Sequence, residues 1–185
     1  MDAFENLVAL LLRREGYWTA TSVKVELSRK QKHAIGRPSS PRWEIDLVAY
    51  KGETNELLAV ECKSYLDSRG VVFRNGKFEP AERYKLFTEP RLRSVVTRNL
   101  ATQLVNSGSC RKNPRVTLCL ATGKMAGGTD RKLMQAHFDR KGWLLFDDRW
   151  VAEHLLSAAS ADYENDVAFV VAKILRRNGN LDQPV

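Results

Sequence analysis

Trp43-Glu44-Ile45-Asp46-Leu47-Val48-Ala49-Tyr50, then Lys51-Gly52-Glu53-Thr54-Asn55, then Leu57-Leu58-Ala59-Val60-Glu61-Cys62-Lys63 reads as two short strands joined by a turn. Side chains alternate between the two faces of a strand. Glu61 and Lys63 therefore project one way, and Val60 and Cys62 the other. Asp46 stands among apolar residues on the first strand. When the two strands pair as a hairpin, Asp46 can reach the face that carries Glu61 and Lys63. Two carboxylates and one ammonium then converge beside a hydrophobic layer.

Two convergent carboxylates offer hard oxygen ligands to a magnesium-like cation, which keeps some of its waters and also takes substrate phosphate. A lysine beside them can hold or help deprotonate an attacking water, or neutralise charge in the transition state. A bare Glu-x-Lys also occurs as a plain ion pair on a solvated sheet face. The weight here comes from its company: the upstream aspartate in an apolar strand, the apolar run into Glu61, and the basic flanks.

Asp46, followed fifteen residues later by Glu61-Cys62-Lys63, resembles the PD-(D/E)xK motif of the restriction-endonuclease-like nucleases. Within that superfamily it looks most like the Mrr-like restriction endonucleases and the archaeal-type Holliday junction resolvases. Ile45 stands where the motif usually has its proline. The resemblance implies an α/β fold with an αβββαβ core, a mixed central sheet flanked by helices. It also implies a Mg²⁺-dependent endonuclease, with Mn²⁺ able to substitute, acting on duplex or branched DNA. Asp46 and Glu61 would be metal ligands, the Cys62 carbonyl a further oxygen ligand, and Lys63 the catalytic lysine. Cutting both strands would favour a homodimer. The alternative is a non-catalytic nucleic-acid-binding or assembly module on the same fold.

Upstream, Asp2 to Glu15 reads as a helix with Phe4, Leu7, Val8, Leu11 and Leu12 as its apolar stripe and Gly16 as its stop. Glu5 falls at the edge of that stripe. It either completes the metal constellation, as the resemblance implies, or favours the positive end of its own helix. Thr19 to Leu27 reads as a strand. Ser28 to Arg42 carries Arg29, Lys30, Lys32, Arg37 and Arg42 and no acid, and its Gly, Pro and Ser content predicts a loop. Those five cations are candidate phosphate contacts; otherwise the loop is simply solvated.

Downstream, Asn75-Gly76 inside Val71–Phe78 is a hairpin signal, read as a small appendage near the active face. Arg91 to Asn106 predicts a long helix with Leu92, Val95, Val96 and Leu100 inward. Asn99 and Gln103 share that stripe, and polar amides on a buried face need partners. The resemblance gives such an amide a supporting part at the site, Gln103 before Asn99; otherwise it is a satisfied amide. Val116 to Ala121 predicts a buried strand. A glycine loop follows, then a helix capped by Thr129 and a strand over 142–146. The next helix is capped by Asp147 or Asp148. The last helix, 161–177, has Val167, Val170, Val171 and Ile174 as its stripe, facing the core or a partner.

The chain of 185 residues, 43% hydrophobic and 28% charged, suits one domain over 1–185, with a core over about 1–156. Thirty basic against 22 acidic residues give a net charge of +8, which favours a polyanionic partner. No stretch has the length of a membrane span and no signal peptide is recognisable. Three cysteines without ligand spacing point to a reducing, cytoplasmic setting.

Overall fold

The protein is described here by a computed structural model covering residues 2–39 and 42–179. The single domain read over 1–185 thus includes residues 180–185, which lie outside the described residues. It is an α/β protein built on a mixed five-stranded sheet. Among the described residues no helix is long and apolar enough to cross a membrane.

Helix α1 (Ala3–Arg14) starts at Asp2, whose carboxylate accepts from the Phe4 N–H. Strands β1 (Trp18–Val25), β2 (Trp43–Lys51) and β3 (Glu56–Lys63) form the expected antiparallel meander. After β3 the chain makes the hairpin β4 (Val72–Arg74) and β5 (Lys77–Glu79). A 3-10 turn (Ala81–Tyr84), the short helix α3 (Lys85–Thr88) and the long helix α4 (Pro90–Asn106) follow. The chain then returns as β6 (Arg115–Thr122), parallel to β3, with Glu61 opposite Leu120 and Lys63 opposite Thr122. Helix α5 (Gly128–Lys141), strand β7 (Leu144–Phe146) and helices α6 (Asp148–Ser160) and α7 (Val167–Arg177) complete the order. The sheet runs β1-β2-β3-β6-β7.

Each sheet face carries its own core. Phe4, Val8, Leu11 and Leu12 of α1 pack on Leu47, Ala49, Leu58, Val60 and Cys62, together with Val151, Ala158 and Phe169 from α6 and α7. On the other face, Leu92, Val96, Leu100 and Leu104 of α4 and Met134 and Phe138 of α5 cover Ile45, Val48, Leu57, Ala59, Leu118 and Leu120. Helices cover both faces because alternate β3 residues are apolar on both sides until the strand reaches Glu61.

Several local expectations are corrected. The segment 28–42 is not all loop: Arg29–Ala34 forms a helix, α2. Ser28 accepts from the Gln31 N–H and Gln31 reaches back to the Ser28 N–H, a capping box that offsets a turn with no buried residue. Ser40 and Pro41 of that segment lie outside the described residues. The β4–β5 hairpin turns through Asn75 and Gly76, both at positive φ, as its sequence suggests. It is no appendage, since Phe73 and Phe78 are buried among Tyr84, Phe87 and Phe138. Helix α5 begins after Gly127 without a Thr129 cap. Asp147 does cap α6, accepting from the Trp150 N–H at 3.0 Å. The last helix starts at Val167, because Ala161 ends α6. It buries Phe169 and Ala172 and leaves Val167, Val171 and Ile174 exposed, so the stripe read from sequence faces outward.

Candidate active site

β3 delivers Glu61 and Lys63 from a strand otherwise buried from Leu57 to Val60. The β2–β3 ladder runs from Lys51↔Glu56 to Leu47↔Val60 and stops there. The next pair would be Asp46 with Glu61. Instead the Asp46 side chain takes over, its Oδ2 accepting from the Cys62 N–H at 2.8 Å.

β2 also shifts phase at Asp46. Leu47 and Ala49 face the α1 side, whereas Ile45 joins Val48 and Tyr50 on the α4 side. Strict alternation would put Ile45 with Leu47. β1 follows the same shift: Val23 and Val25, opposite Ile45 and Trp43, pack on the α4 side. Ser22, which stands across from Asp46 in the constant register, has φ 53° and drops out of the pairing. The distortion aims a carboxylate where a regular strand would aim a main-chain pair.

Lys63 Nζ lies 3.8 Å from Asp46 Oδ2 and 3.7 Å from Glu61 Oε2. Both distances exceed a direct hydrogen bond, so the ammonium acts on the two carboxylates through charge. The three side chains are 13–25% exposed, open enough for a ligand and dry enough for strong electrostatics. Burial, then the Asp46 charge, push the Glu61 carboxyl from 4.5 up to about 7, against the pull of Lys63. One ammonium does not balance two carboxylates here. At neutral pH the site favours a further proton or a cation.

Cys62 turns its thiol to the α1 side, where burial, then Asp46 and Glu5, raise it far above the range of a reactive thiolate. All three cysteines are free and buried. Glu5 is near enough for its charge to reach that thiol, yet its Oε2 accepts from the Asp2 N–H at 3.2 Å in the α1 capping box. Glu5 thus makes the helix-end contact of the second alternative. Among the described residues no group of three or more His, Cys, Asp and Glu side chains could hold a metal.

Gln103 stands apart from the carboxylates, donating to the Lys24 carbonyl at 3.0 Å and accepting from the Glu26 N–H at 3.2 Å. Asn99 bonds to Gln31 and to the Val95 carbonyl. These amides dock α4 on β1 and α2, and their hydrogen bonds are those of the satisfied-amide alternative. Of the five cations in 28–42, Arg37 pairs with Glu89 at 2.7 Å and lies over Trp43, and Arg42 pairs with Glu26 at 2.6 Å. Arg29, Lys30 and Lys32 on α2 have no ion-pair partner among the described residues, and Arg29 and Lys30 are exposed.

The glycine loop after β6 also meets the end of β3, a contact that its sequence did not indicate. The Gly123 N–H donates to the Lys63 carbonyl at 3.0 Å. A Cβ on Gly123 would stand 2.5 Å from the Ser64 carbonyl, so only glycine permits this approach. Lys124, next in the chain, is exposed. Beside Lys63 a cleft of about 500 Å³ opens between Asp2, Phe4 and Leu7 of the first helix region and Ser64 to Ser68. The sequence signal for this loop was its glycines, Gly123, Gly127 and Gly128, after an apolar strand.

Comparison with protein-family models, with curated proteins and with solved structures gave no match.

Proposed function

We propose that the protein is a divalent-metal-dependent endonuclease that hydrolyses phosphodiester bonds in DNA, on a restriction-endonuclease-like αβββαβ core. The observation that carries this reading is the Lys63 ammonium held within 4 Å of both Asp46 and Glu61, at the point where β2 leaves β3. The donor set suits Mg²⁺, which binds through one or two carboxylates and leaves positions for water and substrate phosphate. Asp46, Glu61 and the Cys62 carbonyl would hold it. When bound, such an ion stabilises phosphoryl charge and makes water a better nucleophile.

The chain's own residues do the rest. Lys63 sets a positive charge beside the attacked phosphate and helps orient the incoming water. Asp46 also holds the Cys62 N–H, which fixes the strand backbone between Glu61 and Lys63. The cations of α2, at the far end of the connection into β2, and Lys124 supply groups that grip phosphates without reading bases.

The test is incubation of supercoiled plasmid with Mg²⁺ or Mn²⁺, with and without chelator. Nicking or linearisation that chelator abolishes, and that Asp46→Asn lacks, supports the reading. The second reading, a non-catalytic nucleic-acid-binding module, is favoured by the lack of a third acid among the described residues. Metal-independent DNA binding without cleavage would put it first.

A further inference from the structure

Helix α7 is apolar on two opposite sides. Phe169 and Ala172 are buried. At 3.6 residues per turn, Val167, Val171 and Ile174 fall on the side away from them. These three are 80%, 47% and 53% exposed. Leu175 at the margin of the stripe and Tyr163 just before the helix are exposed as well. Nine large hydrophobic side chains are exposed among the described residues, and five of them lie within 163–175. Trp18, Leu66, Leu133 and Leu144 are scattered, and single exposed apolar residues need no explanation. A helix apolar on both sides is suited to being covered on both.

The charges along α7 indicate what covers it. Asp162, Glu164 and Asp166 stand at its start, and Lys173, Arg176 and Arg177 at its end. Glu164 is held by Arg14, and Asp166 caps the helix through the Ala168 N–H. Lys173 donates to the Ala159 and Ala161 carbonyls, and Arg176 to the Ser160 hydroxyl. Asp162, in the segment before α7, and Arg177, its last residue, have no ion-pair partner among the described residues. Two copies of α7 packed antiparallel about a two-fold axis set Val167 against Ile174 and Val170 against Val171. The acidic approach to each helix, Asp162 included, then lies towards the basic end of the other, Arg177 included, and the helix dipoles oppose. A parallel pairing would set acid on acid and base on base.

We propose that α7 is a self-association surface whose occupant is α7 of a second copy, in a closed isologous dimer. This inference does not rest on the nuclease reading. The test is sedimentation of the full chain over a concentration series, without DNA or metal. The wild type is expected to be a dimer at micromolar concentration. Val171→Glu/Ile174→Glu is expected to be a monomer that keeps its circular dichroism. Asp162→Arg and Arg177→Asp are each expected to weaken the dimer several-fold, and the two together to restore it. If the glutamate variant does not fold, the charge exchange decides. A monomeric wild type, a dimer indifferent to the glutamates, or a charge exchange without restoration overturns the proposal.

Discussion

The Asp46 carboxylate accepts a hydrogen bond from the Cys62 N–H at 2.8 Å, across the gap where the β2–β3 ladder has ended. One side chain thus has two tasks, satisfying a part-buried peptide group and offering a charged oxygen to the site. The tasks separate by substitution. Asp46→Asn keeps an acceptor and should melt close to the wild type. Asp46→Ala orphans the N–H and should lose about 1–3 kcal/mol. Both should lose divalent-metal binding by calorimetry. Equal melting of the two variants would deny the hydrogen bond its structural part, and retained Mn²⁺ binding by either would deny the ligand.

Glu61 gives a pH dependence of defined sign. Its carboxyl is raised from 4.5 to about 7, chiefly by burial and next by Asp46. A raised carboxyl binds its proton more tightly folded than unfolded. Its stabilisation is therefore full below about pH 4.5 and is lost as pH climbs through about 7. Without metal, this group should cost the wild type up to about 3 kcal/mol by pH 8. Glu61→Gln does not titrate, so it should melt above the wild type at pH 8 in chelator, with the gap closing towards pH 4.5. A gap that stays constant with pH would contradict the assignment.

Lys63 separates cleavage from binding. Lys63→Met keeps most of the stem and removes the ammonium. Single-turnover cleavage at saturating metal should fall by about 10²–10⁴. DNA affinity should change little, since only one charge among many is removed. A folded Lys63→Met protein that cuts DNA at the normal rate would remove the residue from the mechanism.

The cations of 28–42 divide into two kinds. Arg29, Lys30 and Lys32 have no ion-pair partner among the described residues, and replacing all three by Ala should flatten the salt dependence of DNA binding by about 0.9 in log–log slope for each phosphate they no longer neutralise. Arg37 is tied to Glu89 and Trp43. Arg37→Ala should lower the melting temperature more than it changes that slope. Binding titrations over a salt series, with parallel melts, check both; an unchanged slope in the triple variant would move the DNA path elsewhere.

The meander and the crossover to β6 were legible because alternation, turn residues and an apolar run are local signals. The convergence of Asp46, Glu61 and Lys63 was legible for the same reason: spacing on neighbouring strands brings them to one place. The phase shift at Asp46 was not, since it depends on Ser22 adopting a left-handed conformation on another strand. Helix α2 lacks an apolar stripe, and only Ser28 and Gln31, three apart, marked its start. Periodicity in α7 found an apolar face but could not say which of two faces the core would take. The burial of the Phe73–Phe78 hairpin depends on partners in α3 and α5.

The parallel β3–β6 seam sets an order of events for the folding chain. Asp46 and Glu61 are brought together by a hairpin with a short turn, a cheap loop closure. The Lys63 carbonyl gains its Gly123 partner only when a strand much later in the chain docks, at far higher closure entropy. A chain that has emerged only through β3 holds both acids and the lysine but lacks the seam that fixes their geometry. On the nuclease reading proposed above, cleavage would have to wait for β6, well after the acids and the lysine have been made.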